Sequence, residues 1–367
     1  MKYYIIAGEA SGDLHASNLI KEIIKLEPNA DIRAWGGDKM QNAGANVVKH
    51  FKDLAFMGFY EVLINLRTIL KNISFCKKDI LEFSPDKIIF VDYPGFNMRI
   101  AKWSKKYKFQ TIYYIAPQLW AWNEKRIKKI KKYIDSLYVI LPFEKEFFET
   151  KHKYPVKFLG HPLLDSISNF KKNYDSSSEQ IITNKKEVIA ILPGSRKQEI
   201  KKILNTVIKI VDYFPDHQFI VAGAPNIELS YYKSILKNKR IKVIENKTYE
   251  ILSISTAAIV TSGTATLETA LFKVPQVVCY KSSYFSYFIA KLIVNIKYIS
   301  LVNLIMDQQI VKELIQQDCN KDKIRNELEK ILDLNNKKSL QIKYDELTSI
   351  LGNNGTSKRV ALDIIKK

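Results

Sequence analysis

Short runs of β-branched and aromatic apolar residues alternate along this chain with longer segments in which apolar positions recur every three or four residues. In the first half, the runs at 3–7, 31–35, 87–92, 111–115 and 136–141 predict strands. The segments 14–26, 96–106 and 123–133 carry the helical period. Regular alternation of the two predicts a parallel sheet with helices on both faces. The pattern stops at NFKKNYDSSSEQIITNKK (169–186), which is polar and aperiodic and reads as a linker. It then restarts, with strands at 188–192, 218–222, 241–244, 257–260 and 276–279 and helices at 201–213 and 265–272. From about residue 321 the chain is helical and charged, and GNNG at 352–355 breaks it before a last short helix. The expected organisation is two doubly wound α/β domains, 1–168 and 187–345, and a helical tail, 346–367, that returns to the first domain or is swapped in a homodimer.

Composition narrows this little. A length of 367 residues suits two such domains. Cys76, Cys279 and Cys319 form no CxxC pair, so neither a disulfide framework nor a zinc site is expected, and a reducing cytoplasmic compartment fits. The first residues are too short an apolar run for a signal peptide. No stretch reaches the roughly 18 apolar residues of a membrane span. The formal charge of +20 asks for an anionic partner, but lysine is spread throughout and the sign alone chooses none.

In open parallel sheets, ligands bind beyond the carboxyl ends of strands, and four motifs lie at such ends. Gly8-Glu9-Ala10-Ser11-Gly12-Asp13 follows the first strand; small residues let backbone approach a ligand, and Glu9 and Asp13 bring carboxylates. A tight turn capped by Ser11 or Asp13 is the structural alternative. Asp92 ends the apolar run 88–91 ahead of a Pro-Gly turn, as a general base or as a helix cap. Gly194-Ser195-Arg196 offers a turn, a hydroxyl and a planar guanidinium for phosphate oxygens. Gly263, Thr264 and Thr266 open a helix as a glycine- and hydroxyl-rich turn suited to a diphosphate, and Glu268, one turn on, suits a ribose cis-diol.

Ordered strings extend the pattern over almost the whole chain: AGEASGD (7–13), MGFYEVL (57–63), VDYPGFN (91–97), APQLWAWNEKR (116–126), LPFEKEFF (141–148), FLGHPLLD (158–165), LPGSR (192–196), SGTATLE (262–268) and SLVNLI (300–305). Together they resemble the lipid-A-disaccharide synthases. The resemblance implies a GT-B fold, two Rossmann-like domains facing across a cleft. It implies a hexosyltransferase of lipid A and lipopolysaccharide assembly in Gram-negative bacteria, joining UDP-2,3-diacylglucosamine to 2,3-diacylglucosamine 1-phosphate. The product would be a β-1,6-linked disaccharide plus UDP, formed with inversion, without metal or cofactor. Asp92 would be the base, with Glu9 and Asp13 as fallbacks. Gly8, Glu9, Ser11, Gly12, Ser195, Arg196, Gly263, Thr264, Thr266, Glu268 and Asn303 would bind substrate. Gly95 stands where some relatives have Asp, and Val302 where the family often has Pro.

Acylated substrates imply a cytoplasmic enzyme held peripherally on the anionic inner-membrane surface. In residues 54–70, Phe56, Phe59, Tyr60 and Leu63 share a helical face that would dip into a bilayer, line an acyl groove or face a core. The basic stretch NEKRIKKIKK (123–132) beside Trp120 and Trp122 suits an anionic lipid surface or a solvated helix face. A UDP-N-acetylglucosamine 2-epimerase is the nearest alternative. A nucleic-acid-binding protein is another, argued against because no helix-turn-helix, RNP or zinc pattern is present.

Overall fold

The computed structural model describes residues 1–54, 66–174, 186–237, 240–283, 287–288 and 296–366. The chain forms two compact units, Met1–Ser166 with Leu351–Lys367, and Ile167–Ile350.

The first unit is built on a parallel sheet of β1 (Lys2–Ala7), β2 (Asp31–Gly36), β3 (Asn46–His50), β4 (Lys87–Val91), β5 (Gln110–Tyr114), β6 (Ser136–Val139) and β7 (Lys157–Phe158), in the spatial order β3-β2-β1-β4-β5-β6-β7. Strand residues alternate between two cores: Tyr4 and Ile6 enter one, Tyr3, Ile5 and Ala7 the other. A strand buried on both faces has no polar side to show, which is why these runs are apolar throughout. The order reverses between β1 and β4, which pair in register from Tyr3–Lys87 to Ala7–Val91. The two loops leaving these strands are thus neighbours at a topological switch point.

Helices α1 (Ala10–Leu26), α2 (Asp38–Asn42), α3 (Leu66–Phe83), α4 (Pro94–Ser104) and α5 (Ile127–Tyr133) belong to this unit. So does the last helix, whose Val360, Ala361 and Ile364 complete the core that α1 covers.

The second unit repeats the design with β8 (Glu187–Leu192), β9 (His217–Gly223), β10 (Ile241–Glu245), β11 (Ser255–Thr261), β12 (Gln276–Tyr280) and β13 (Lys312–Ile315), ordered β10-β9-β8-β11-β12-β13. Its switch point lies between β8 and β11, with Leu192 opposite Val260. Helices that matter below are α6 (Leu163–Asn173), α7 (Lys197–Val207), α8 (Thr248–Ser253), α9 (Thr264–Leu271), α10 (Leu301–Met306), α11 (Lys321–Leu332), α12 (Leu334–Leu351) and, closing the first unit, α13 (Thr356–Ile365).

Several expected bounds shift. The first helix starts at Ala10 rather than at residue 14, so Ser11, Gly12 and Asp13 form its first turn, with Glu9 as N-cap. Helix α6 runs through the first five residues expected as linker, and α12 passes unbroken across 345/346, so the tail begins at Leu351. β3, β7 and β13 lie beyond the expected strands. All three are sheet-edge or near-edge strands with part-exposed side chains, and they lack the apolar run that marks their neighbours.

Candidate functional site

At the first switch point, β1 leads into Gly8 and Glu9, and β4 into Asp92. Gly8 is buried, and a Cβ there would fall 2.3–2.7 Å from the ring of Tyr93. Gly12 lies against β1, where a Cβ would meet that of Ala7 at 3.2 Å. These glycines let Tyr93 cover the loop and α1 pack on its strand. Glu9 is half-buried and Ser11 exposed at the open end of α1.

Asp13 is buried and its carboxylate accepts three backbone N–H groups of the α2 start: Gly37 at 2.7 Å, Met40 at 3.1 Å and Lys39 at 3.2 Å. It caps a neighbouring helix, and its acceptor capacity is directed inward.

Asp92 and Tyr93 both hold left-handed backbone, φ 45° and 49°. Two consecutive non-glycine residues in that region cost on the order of 1–3 kcal/mol each and persist only if the surroundings impose them. Here the imposing groups are visible. The Asn97 amide donates to the Asp92 carbonyl at 2.7 Å and the Tyr113 hydroxyl donates to the same oxygen at 2.6 Å. Burial raises the Asp92 carboxyl above the ordinary aspartate range, opposed by a hydrogen bond from the Tyr93 backbone. A half-buried carboxyl with a raised pKa at a strained strand end has the character of a general base.

At the second switch point the chain leaves β8 through Gly194, Ser195 and Arg196, and β11 through Ser262 and Gly263. Gly194 has φ +98° and Gly263 φ +151°, conformations that need glycine. Gly263 faces open space, with nothing within 4 Å of an added Cβ, and is the N-cap of α9. Thr264 is exposed beside it. The first N–H groups of α9 are therefore presented outward, and exposed Ser195 and Arg196 follow the neighbouring strand β8. Arg196 pairs with Glu199 at 2.9 Å, a 64% exposed guanidinium in a surface ion pair that costs little to exchange for an anion.

Two expected binding residues point elsewhere. The Thr266 hydroxyl is buried, donating to Gly263 O at 2.8 Å and accepting from Leu301 N at 3.3 Å. Asn303 is fully buried. Its amide donates to Val311 O and Glu313 Oε1, both at 2.8 Å, and accepts from Ile310 N at 2.8 Å and Val311 N at 2.9 Å. Both side chains are committed within the unit: Thr266 closes the α9 turn and Asn303 ties α10 to β13. Residue type shows hydrogen-bonding capacity and not where it is directed.

A family model described as lipid-A-disaccharide synthetase matches residues 3–362. The chain belongs to that family. A lipid-A-disaccharide synthase of Coxiella burnetii is 36% identical over 362 residues, covering 97% of this chain and 96% of the relative. One of Geobacter metallireducens is 34% identical over 365 residues, covering 97% and 94%.

Membership of the lipid-A-disaccharide synthetase family makes this chain a glycosyltransferase. Solved structures of similar fold include the S. aureus MnaA-UDP co-structure (TM-score 0.70, 14% identity, covering 99% of this chain and 95% of that one). The calicheamicin glycosyltransferase CalG4 is another (TM-score 0.62, 12% identity, 100% and 97%). These likenesses agree with the GT-B class of paired doubly wound units.

Tyr93, Asn97 and Tyr113 carry no site signal in the sequence, although the first two lie in VDYPGFN, because tyrosine and asparagine next to a carboxylate do not announce that they support it. Glu144 carries none either. That carboxylate is fully buried, accepts from Ile140 N, Leu141 N and Trp120 Nε1 at 3.0–3.1 Å, and burial pushes it up to about 7. Trp120, expected at a membrane, is half-buried with its indole N–H on Glu144 and its ring edge-on to Phe143 at 4.9 Å. Phe56, Phe59, Tyr60 and Leu63 lie outside the described residues, as does the Trp122 side chain. In α5, Ile127 and Ile130 are buried and Lys128, Lys129, Lys131 and Lys132 exposed.

Proposed function

We propose that this glycosyltransferase condenses UDP-2,3-diacylglucosamine with 2,3-diacylglucosamine 1-phosphate, with inversion, giving the β-1,6-linked disaccharide 1-phosphate and UDP. The observation that carries the reading is Asp92: a carboxyl of raised pKa, held at the β1/β4 switch point by strained and doubly anchored backbone. In this reading its carboxylate removes the proton from the acceptor 6-hydroxyl as that oxygen attacks the anomeric carbon. The bond from that carbon to the diphosphate breaks, and UDP leaves on the opposite face. Glu9, half-buried beside the Tyr93 that covers Gly8, is the fallback base. Asp13 drops out of that role because three N–H donors hold it inward.

The donor's diphosphate belongs to the second unit. Outward N–H groups at Gly263–Thr264, with Ser195 and Arg196, stabilise charge growing on UDP by fixed dipoles and a guanidinium. Glu268 takes the ribose. Acylated substrates place the enzyme at the cytoplasmic face of the inner membrane, with the exposed lysines of α5 on anionic headgroups. Among the described residues no helix is long and apolar enough to cross a membrane, which is compatible with surface attachment.

The test is a lipid product assay with both acylated substrates. Disaccharide 1-phosphate and UDP should form with wild type, fall by about 100- to 10,000-fold with Asp92→Asn, and fall with Arg196→Ala mainly through donor KM. Full turnover by folded Asp92→Asn would move the base role to Glu9. Conversion of UDP-N-acetylglucosamine alone, with no disaccharide formed, would replace the reading by epimerisation.

A further inference from the structure

Tyr249 lies on α8, the short helix after β10, and its hydroxyl donates to Glu268 Oε1 at 3.0 Å. Its ring is wedged between Phe170, edge-on at 5.5 Å, and Phe272 at 5.2 Å; these two rings also meet each other at 5.8 Å. Three mutually packed rings leave the phenol oxygen one place to be. A glutamate carboxylate, by contrast, turns readily about its last torsion, whose preference is broad and two-fold. A donor fixed in space restricts that freedom in Glu268.

The phenol bond is made on Oε1 of the carboxylate. Glu268 is half-buried on the second turn of α9, the helix whose open end starts at Gly263. Two adjacent ribose hydroxyls need acceptors held in one plane at one orientation. A carboxylate that had to be ordered on binding would lose part of each bond to entropy.

We propose that Tyr249 is a positioning residue that sets the plane of the Glu268 carboxylate for a vicinal diol, and so makes this unit select ribonucleotides over 2′-deoxyribonucleotides. The inference rests on the reading of Glu268 as the ribose contact. Tyr249 touches no substrate; it acts through Glu268.

The full chain is titrated with UDP and with 2′-deoxy-UDP by calorimetry, as wild type, Tyr249→Phe and Glu268→Gln, each checked for folding by circular dichroism. Wild type should prefer UDP by roughly 10- to 100-fold, the worth of one hydrogen bond to a charged group. Tyr249→Phe keeps the ring and its packing. It should weaken UDP about tenfold and 2′-deoxy-UDP, which keeps one of the two hydroxyls, clearly less, and so reduce the preference; Glu268→Gln should reduce it in the same sense. If Tyr249→Phe keeps the wild-type preference while Glu268→Gln loses it, positioning by Tyr249 is wrong and the ribose reading stands. Equal binding of the two nucleotides by wild type, or an intact preference in Glu268→Gln, overturns both. Should Tyr249→Phe not fold, Phe170→Leu loosens the same cage: a reduced preference supports the proposal, and an unchanged one sinks it.

Discussion

Asp92 and Tyr93 hold left-handed backbone because Asn97 and Tyr113 hold the carbonyl between them, so the proposed base is aimed by residues outside the proposed chemistry. Removing one of two donors should misdirect the carboxylate more than it unfolds the unit. Tyr113→Phe is expected to lower kcat by about tenfold with donor KM near wild type, a loss of the order of one hydrogen bond's net worth. A wild-type kcat in the folded variant would show that the anchor is dispensable. On the proposed reading the raised carboxyl also sets the acid limb of the reaction. The base must be ionised, so kcat/KM should fall as pH drops through a value above the ordinary aspartate range, near 4. A limb at the ordinary position would place the base elsewhere. Gly8 makes the opposite point, since a small residue after the first strand suggests backbone approach to a ligand and the close neighbour is the Tyr93 ring. Gly8→Ala should cost about 1–3 kcal/mol of stability by overpacking, read from the shift of a urea midpoint.

At the scale of elements, the sequence was most legible where both faces of a strand are covered. β1, β4, β8 and β11 stand out as apolar runs, and the strand-to-helix turns that follow are the motifs at both switch points. β3, β7 and β13 escaped because part-exposed strands carry lysine, histidine and glutamate in place of such runs. The first turn of α1 escaped because Ala-Ser-Gly-Asp reads as a loop; it is helical because Gly12 lets the helix sit on Ala7 and Asp13 is held by α2. Asn303 shows the other limit. An asparagine whose four bonds all go to Ile310, Val311 and Glu313, on β13 and the approach to it, has the same letter as one that waits for a ligand. Asn303→Ala should therefore lower stability by about 2–4 kcal/mol, through several unsatisfied buried groups. An unchanged melting curve with weakened UDP binding would return it to the ligand. Asp165 is a comparable tie, its carboxylate accepting from Gly355 N at 2.6 Å, Ser357 N at 2.7 Å and Thr356 N at 3.2 Å at the start of α13.

Across the whole molecule, the first unit carries a built-in sensitivity to acid. His15 and His161 are buried, and burial lowers them to about 4 and about 3; Lys39 pushes His15 down further, Asp165 opposes, and His15 pushes His161 down. His15 Nδ1 and His161 Nε2 have no hydrogen-bond partner among the described residues. Unfolded histidines take up protons near pH 6.5 while these two stay neutral in the fold. Stability is therefore unaffected above that pH and declines below it, by about 1.4 kcal/mol per pH unit for each histidine until its folded value is reached. The midpoint of the first unit's unfolding should drop between pH 6.5 and about 4, and His161→Gln should flatten that slope. An equal slope in the variant would acquit the histidine.

The first unit is also assembled from both ends of the sequence, for Leu351–Lys367 belongs to it and Val360, Ala361 and Ile364 finish the core over α1. A ribosome delivers the amino terminus first, yet that half stays uncovered on one side until residues 351–367 have been made. The second unit, Ile167–Ile350, is contiguous and is complete before then. The half of the enzyme made earliest is thus the one finished latest. For as long as translation takes to cross the intervening residues, an apolar face of α1 waits for its cover.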